Sequence, residues 1–119
     1  MKEIWKDIPS YEGIYKVSNK GKVKNIKFNR LMKPSATQGG ILQVIISKDS
    51  KKKAINLPRL VYNSFAMTLE ENMVITHRDR NPKNCSLENL IVFQDHSTLK
   101  SYLLLSNTIK SNAKKSNNE

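Results

Sequence analysis

The stretch Val74-Ile75-Thr76-His77-Arg78-Asp79-Arg80-Asn81-Pro82-Lys83-Asn84-Cys85-Ser86-Leu87-Glu88-Asn89-Leu90 decides the fold of the second half of this chain. Its start is apolar and β-branched, which favours an extended strand that ends at His77. The polar middle contains the turn signal Asn81-Pro82, and the apolar run Leu90-Ile91-Val92-Phe93 predicts a second strand. We therefore expect two strands joined by a polar loop, with His77 closing the first strand and Asn89 opening the second.

Helical spacing flanks these strands on both sides. Pro58 suits the first turn of a helix, and apolar residues around it recur at i, i+3, i+4 and i+8. This stripe predicts a helix over residues 58–67 and consists of Leu57, Leu60, Val61 and Phe65. Asp95 is a candidate N-cap for a second helix that reaches about Leu105. The predicted buried face of that helix consists of Leu99, Tyr102 and Leu103.

The first half of the chain has the two-residue period of short strands. Turns are expected at Asn19-Lys20-Gly21 and at Asp49-Ser50, because Asn, Asp and Gly tolerate positive φ angles. The predicted strands cover residues 14–17, 23–28, 41–47 and 51–55. We therefore predict an α+β fold, in which a small antiparallel β-sheet is followed by the strand–loop–strand–helix unit.

The composition excludes several classes of protein. The chain has 119 residues, 38% of them hydrophobic, which suffices for one small core and excludes a multidomain enzyme with its own cofactor fold. No apolar run approaches the ~20 residues of a membrane-spanning helix, and the N-terminus lacks the apolar segment of a signal peptide. The single cysteine, Cys85, permits neither an intrachain disulfide nor a thiolate zinc site. We expect a soluble protein of the cytoplasm.

The charge distribution indicates a polyanionic partner. The formal net charge is +11, and residues 1–53 carry 13 basic against 4 acidic residues, a net charge of +9. Because the excess is concentrated in one half, nucleic acid is favoured over an anionic membrane surface and over a lysine-rich surface that only aids solubility. RNA is a weaker candidate than DNA, because the sequence has no pattern of stacking aromatic residues.

Candidate DNA contacts lie along the strands predicted in the first half. A two-stranded ribbon fits the major groove of DNA, and lysine contacts to phosphate fix its position without reading sequence. Gln43, Asn25 and Asn29 are the better candidates for contacts to base edges. The predicted DNA-binding residues are Lys16, Lys22, Lys24, Lys27, Gln43, Lys48, Lys51, Lys52 and Lys53.

The strand–loop–strand stretch resembles the HNH endonuclease motif, which typically reads as an apolar strand, His, any residue, Asp, an Asn-rich loop and then Asn-Leu. His77, Asp79 and Asn89-Leu90 stand at the matching positions. Upstream, Arg59-Leu60-Val61 with Phe65 looks like the helix that precedes the motif in phage homing endonucleases. The opening Ile4-Trp5-Lys6-Asp7-Ile8 with Tyr11-Glu12-Gly13-Ile14-Tyr15-Lys16-Val17-Ser18-Asn19-Lys20-Gly21-Lys22-Val23 is similar to the modular DNA-binding motif found beside such nucleases.

The resemblance implies a metal-dependent DNA endonuclease that hydrolyses phosphodiester bonds. The general base of the family matches His77, and an unperturbed imidazole is largely neutral near pH 7 and so able to accept a proton. The residue that ties the loop to the strand matches Asn89, and Asp79 would support the loop or the histidine. The resemblance also implies a hard divalent cation, for which Mg²⁺ is the natural choice.

The metal ligands depart from the pattern of the family. The position before the catalytic histidine is often Asp or Asn in the family and is Thr76 here, and the last ligand falls near Thr98 or Leu99. The predicted metal ligands are Thr76, His96 and Thr98, although His96 also fits an exposed position on a helix. This departure favours a second hypothesis, in which a catalytically impaired protein binds DNA on the same scaffold.

Three segments are predicted along the chain. Residues 1–56 are expected to form a β-rich DNA-binding module, residues 57–106 a ββα-metal HNH nuclease module, and residues 107–119 a disordered basic tail. One active site per chain predicts a nick by a monomer, whereas a double-strand break would need a dimer or a second event. The expected oligomeric state is a monomer or weak dimer, and the expected location is the cytoplasm, that of a bacterial host if the gene is carried by a phage.

Overall fold

The computed structural model describes residues 2–101 and Leu104. A helix α1 spans Leu57–Phe65, a 3₁₀ turn spans Leu87–Asn89, and residues 96–101 are helical. The strands are β1 (Trp5–Asp7), β2 (Tyr15–Ser18), β3 (Val23–Asn25), β4 (Arg30–Leu31), β5 (Ser35–Ala36), β6 (Leu42–Lys48), β7 (Lys51–Asn56), β8 (Val74–His77) and β9 (Leu90–Phe93). The α+β class predicted from the sequence is confirmed.

The strands of the first half form two antiparallel sheets, whereas the sequence predicted one. One sheet has the order β1-β2-β3-β4, and the other has the order β5-β6-β7. Pro34 lies between β4 and β5, where it has no N–H with which to continue a ladder. The short strands β1, β4 and β5 escaped prediction, because two or three residues carry no readable alternation. The strands β8 and β9 form a separate two-stranded sheet, as predicted.

The buried side chains form a cluster to which both halves of the sequence contribute. Its members are Ile8, Tyr15, Val17, Val23, Val44, Ile46, Leu57, Leu60, Val61, Cys85 and Leu90. The hydroxyl oxygen of Tyr15 accepts a hydrogen bond from the backbone N–H of Ser47 at 3.2 Å, which joins the two larger sheets. The core therefore includes residues from both predicted modules, and the boundary after residue 56 stays a prediction.

The described residues divide into two compact units. The larger unit contains residues 2–69 and 75–91, and the smaller unit contains residues 70–74, 92–101 and Leu104. In the smaller unit, Asp95 caps the predicted second helix, since its Oδ1 accepts hydrogen bonds from the backbone N–H and the hydroxyl of Thr98, both at 2.8 Å. The predictions for Tyr102, Leu103 and the basic tail fall outside the described residues.

Helix α1 begins one residue before the predicted start and ends two residues before the predicted end. Asn56 is the N-cap, and its Oδ1 accepts a hydrogen bond from the backbone N–H of Arg59 at 3.0 Å. At the other end, the N–H groups of Ala66 and Met67 both donate to the carbonyl oxygen of Tyr62, which closes the last turn. The missed cap explains the earlier start, because Asn56 lies just outside the apolar stripe used for the prediction.

Candidate active site

The polar loop between β8 and β9 is closed by the side chain of Asn89. Its Oδ1 accepts a hydrogen bond from the backbone N–H of Asp79 at 3.0 Å, and its Nδ2 donates to the carbonyl oxygen of Asn84 at 2.8 Å. The backbone N–H of Arg78 donates to the carbonyl oxygen of Asn89 at 2.6 Å. Asn89 is 7% exposed, so these bonds are largely shielded from water. The amide thus joins both ends of the loop.

The carboxylate of Asp79 is the second organising group of the loop. Its Oδ2 accepts from the Nδ2 of Asn84 at 2.9 Å, and its Oδ1 accepts from the backbone N–H of Asn81 at 2.8 Å and from the Nδ2 of Asn89 at 2.9 Å. These hydrogen bonds, the one from Asn84 most of all, hold the pKa of Asp79 below its ordinary value. The support is therefore present while the carboxylate is ionised and is lost as the pH falls through that lowered pKa.

His77 ends β8 at the entrance to this loop and is half-buried. Burial lowers the pKa of His77, although the negative charge of Asp79 acts in the opposite direction. A lowered pKa keeps the imidazole neutral near pH 7, which is the form that accepts a proton. The carbonyl oxygen of His77 accepts from the backbone N–H of Arg80 at 3.0 Å, so the chain turns immediately after the histidine.

Cys85 packs beside this histidine. Its Sγ lies 3.9 Å from the Nε2 of His77 and 3.6 Å from the carbonyl oxygen of Pro82. Burial raises the pKa of the Cys85 thiol to about 11, so the group is an uncharged thiol at neutral pH. The thiol donates to the carbonyl oxygen of Pro82 and also contacts the imidazole of His77.

The donors present do not complete a metal site by themselves. Within the part of the chain that the structure describes, no three or more His, Cys, Asp or Glu side chains are grouped so as to hold a metal ion. Thr76 is half-buried in β8 in the larger unit. In the smaller unit, His96 is exposed and the hydroxyl of Thr98 donates to Asp95. A neutral hydroxyl is a weak ligand, and the assignment of these three residues to a metal stays a prediction.

The predicted DNA-binding lysines of the first sheet lie on one face or at its ends. Lys16 and Lys24 are paired across β2 and β3, and strand alternation sets Lys16 opposite to the buried Tyr15 and Val17. The Nζ of Lys24 lies 5.9 Å from the centre of the Trp5 ring, which holds this cation against an aromatic face. Lys22 and Lys27 are exposed in the turns that flank β3.

The hairpin of β6 and β7 carries the other predicted contacts. Its turn residues Asp49 and Ser50 have φ angles of 53° and 64°, as the two central residues of a type I′ turn require. Alternation along β7 places Lys52 on the face opposite to Lys51 and Lys53. Gln43 is half-buried near the other end of β6, away from the hairpin tip. The four lysines at the tip are Lys48, Lys51, Lys52 and Lys53, all exposed.

A concave surface lies between the turn after β3 and the β6–β7 hairpin. Its volume is about 300 Å³, and its lining residues include Asn25, Lys27, Phe28, Ser47 and Lys48. Phe28 is 70% exposed, and the Nζ of Lys27 lies 5.8 Å from the centre of its ring. This surface therefore combines two lysines with an exposed aromatic residue.

The fold and the loop define a class of protein in which a strand–loop–strand motif closed by an asparagine follows a β-rich N-terminal segment. Residues 59–96 match the family described as HNH endonuclease, and residues 3–47 match the family described as the NUMOD4 motif. The chain thus carries an HNH endonuclease domain and, before it, a NUMOD4 motif. HNH endonucleases generally depend on a divalent metal ion.

Two curated phage relatives and one solved structure illustrate the relationship. The chain is 38% identical over 86 residues to DNA endonuclease I-HmuI of Bacillus phage SP01, covering 72% of this chain and 49% of the relative. It is 36% identical over 98 residues to H-N-H endonuclease F-TflII of Escherichia phage T5, covering 79% of this chain and 50% of the relative. The chain thus spans about half the length of these relatives.

The solved structure is described as DNA binding and cleavage by the HNH homing endonuclease I-HmuI. It superposes with a TM-score of 0.76 at 30% identity, covering 93% of this chain and 66% of the other.

Among the described residues of the present chain, no helix combines the length and the apolar character needed to cross a membrane.

Sequence reasoning missed part of the site. Neither Asn84 nor Cys85 was predicted as a site residue, yet Asn84 bonds to Asp79 and Asn89, and Cys85 contacts His77. The density of Asn and Asp in the loop was the available signal for Asn84. No pattern in the sequence indicates the contact of Cys85, because it depends on how the loop folds back onto β8.

Proposed function

We propose that this chain is a DNA endonuclease that hydrolyses phosphodiester bonds with His77 as the general base. The observation that carries the proposal is the loop closed by Asn89, which presents a half-buried, neutral imidazole at the end of a strand. Asn89 and Asp79 are positioning residues, because both bond to the loop backbone. The match of residues 59–96 to the HNH endonuclease family supports the same reaction class.

In this reaction the imidazole of His77 takes a proton from a water molecule. The resulting hydroxide attacks the phosphorus, and the bond between phosphorus and the leaving sugar oxygen breaks as that oxygen gains a proton from solvent. Arg78, Arg80 and Lys83 are exposed in the same loop, where positive charge attracts the DNA backbone. Arg78 is the residue next to the base and Arg80 lies two residues further on, so their charge draws backbone phosphates toward His77.

We propose Mg²⁺ as the metal ion of the reaction. Mg²⁺ prefers oxygen ligands and commonly keeps several waters while it binds substrate phosphate, which suits a protein that offers few donors. Thr76, His96 and Thr98 remain the predicted protein ligands. The ion would supply charge neutralisation at the phosphate.

The DNA contacts proposed for the first half are those of the first sheet and the β6–β7 hairpin. In the first sheet, the proposed DNA contacts are Lys16, Lys22, Lys24 and Lys27. In the hairpin, they are its four lysines and Gln43. We keep the predicted division of labour, in which residues 1–56 bind DNA and residues 57–106 cut it. We propose a monomer or weak dimer that acts in the cytoplasm and makes a nick.

Supercoiled plasmid tests the proposed reaction directly. With Mg²⁺, the protein should convert supercoiled plasmid to the relaxed, nicked form, and a chelator added beforehand should stop the conversion. Gel retardation of the same plasmid in the presence of chelator reports binding separately. Relaxation that persists after complete chelation would contradict the metal requirement.

A catalytically impaired DNA-binding protein is the second candidate function. Thr76 stands where the family often has Asp or Asn, and the described residues hold no cluster of three acidic, His or Cys side chains for a metal. In the plasmid assay this candidate retards DNA and leaves it uncut in Mg²⁺ and in Mn²⁺. That outcome would replace the endonuclease proposal.

Replacing Lys51, Lys52 and Lys53 together by glutamine tests the hairpin as a DNA contact. Each phosphate contact contributes about −0.9 to the slope of log affinity against log salt, so loss of three contacts should make the slope less steep by up to ~3. Lys110, Lys114 and Lys115 replaced by glutamine form a control with the same change in net charge. Equal losses in both triple variants would show that net charge, and not the hairpin, determines binding.

A further inference from the structure

The turn between β2 and β3 lies very close, at Gly21, to the polar loop between β8 and β9, which is called the HNH loop below. Gly21 has a φ angle of +82°, and a Cβ atom built on it would lie 2.7 Å from the carbonyl oxygen of Cys85 and 2.9 Å from the Cys85 Cβ. Distances under 3.0 Å are shorter than packed atoms adopt, so any side chain here would have to displace the backbone at Cys85. Glycine satisfies both the left-handed φ and the close approach.

A hydrogen bond fixes the same two segments beside this contact. The backbone N–H of Leu87 donates to the carbonyl oxygen of Asn19 at 2.7 Å. Asn19 is 3% exposed, and its side chain is itself held, with Oδ1 accepting from the N–H of Ile4 at 2.9 Å and Nδ2 donating to the carbonyl oxygen of Lys2 at 3.0 Å. The turn is therefore held in place by hydrogen bonds to the backbone of the N-terminal segment.

The turn is also rigid within itself. The hydroxyl oxygen of Ser18, which is 0% exposed, accepts hydrogen bonds from the N–H groups of Lys20 and Lys22, both at 3.2 Å. The N–H of Gly21 donates to the carbonyl oxygen of Ser18 at 3.0 Å. These hydrogen bonds restrict movement of the turn where the loop packs against it.

Cys85 contacts both Gly21 and the proposed base, His77. Cys85 is 3% exposed, and its Sγ lies 3.9 Å from the Nε2 of His77. Its backbone contacts Gly21 on one side while its side chain packs against the imidazole on the other. Because packed interiors transmit small displacements, a shift of Cys85 by several tenths of an ångström reaches His77.

We propose that the turn Asn19–Lys22 of the NUMOD4 motif positions His77 of the HNH domain, with Gly21 as the positioning residue and Cys85 as the contact between them. The N-terminal motif then has a task in the nuclease centre that is separate from DNA binding. This inference rests on the proposed role of His77 for its effect on cleavage. The geometric coupling itself does not depend on that role.

The variant Gly21→Ala tests the coupling against two matched controls. Gly13 and Gly40 have φ angles of +78° and +84°, and a Cβ at either position meets nothing within 4 Å. Gly13→Ala and Gly40→Ala therefore carry the same backbone strain without the collision. All three variants are compared as folded proteins by circular dichroism and thermal unfolding.

The spectroscopic readout does not require cleavage. The chain has two histidines, so the imidazole proton resonances of His77 are assigned with a His96→Gln variant. At one fixed pH, Gly21→Ala should shift the His77 resonance and accelerate alkylation of the buried Cys85, whereas both control variants should leave these values unchanged. An unshifted His77 resonance together with unchanged Cys85 alkylation in folded Gly21→Ala would overturn the proposal, whatever the cleavage result.

The kinetic readout separates positioning from binding. Gly21→Ala should lower kcat by about tenfold or more with KM for DNA within about twofold, because a misplacement of ~1 Å can cost up to ~100-fold in rate. A raised KM with unchanged kcat would place the turn in DNA binding and contradict the proposal. If the wild type itself does not cut, the proposed function fails, and the resonance and alkylation data still decide the coupling.

If Gly21→Ala does not fold, a second pair of variants tests the same coupling through the hydrogen bond between Leu87 and Asn19. Leu87→Pro removes the N–H that donates to Asn19, and Ser86, with ψ of 138°, has the extended backbone that a following proline prefers. Leu87→Ala loses the side chain and keeps the N–H. The His77 resonance should shift more in Leu87→Pro than in Leu87→Ala, and equal shifts would count against the coupling.

Discussion

Replacing His77 by alanine should lower the rate of plasmid nicking by about 100-fold or more, since general-base catalysis contributes typically ~10²–10⁴-fold. Alanine cannot accept the proton of the attacking water. The half-buried position of His77 and its lowered pKa favour the neutral imidazole at neutral pH, so the wild-type base is ready without prior deprotonation. Single-turnover cleavage at saturating protein measures the chemical step directly.

DNA affinity in chelator should remain within about twofold in this variant, because a neutral imidazole contributes no charge to phosphate binding. Gel retardation supplies that control. Cleavage by His77→Ala at the wild-type rate would remove the histidine from the reaction. Equal losses of cleavage and affinity would instead assign His77 to DNA binding.

The second large effect is expected for Asn89→Ala. The variant deletes the amide that accepts from the N–H of Asp79 and donates to the carbonyl oxygen of Asn84. An unsatisfied buried polar group costs about 1–3 kcal/mol, so the free energy of unfolding should fall by about this amount. Because the loop then loses its closure behind His77, the cleavage rate should fall by about tenfold or more.

Asn81→Ala is the matched control for this variant. Asn81 lies in the same loop and is exposed, and its Oδ1 accepts only from the N–H of Lys83, at 3.1 Å, among the hydrogen bonds found in the described structure. Its replacement should change stability and cleavage little. Denaturant unfolding and single-turnover cleavage are measured for both variants. Similar effects of the two substitutions would show that Asn89 is an ordinary loop residue.

The elements with long, regular patterns could be predicted from the sequence. Strands β8 and β9 and helix α1 follow from apolar runs and from a stripe with helical spacing, and the turn at Asp49-Ser50 follows from residues that tolerate positive φ. The two-residue strands β4 and β5 could not be predicted, since their pairing depends on neighbouring strands rather than on their own residues. For the same reason the division into two sheets was not visible.

The site residues that could be predicted are those with distinctive side chains that lie close together in the sequence. His77, Asp79 and Asn89 stand close together in one polar loop, and the amide of Asn89 suited the task of joining backbone groups. The approach of Gly21 to Cys85 was not predictable, because it joins residues that are distant in the chain and leaves no local signature. The experiments above decide the predicted roles of His77 and Asn89, and the roles of Asp79 and the metal ligands stay predictions.

The central claim is that the loop closed by Asn89 acts on the reaction through His77. The double variant His77→Ala/Asn89→Ala tests it most directly, with single-turnover cleavage as the measurement. Because Asn89 then has no base left to position, the double variant should cut at the rate of His77→Ala alone, which is the non-additivity expected of residues that act as a unit. Losses that multiply, so that the double variant is slower by the product of both single effects, would contradict the account.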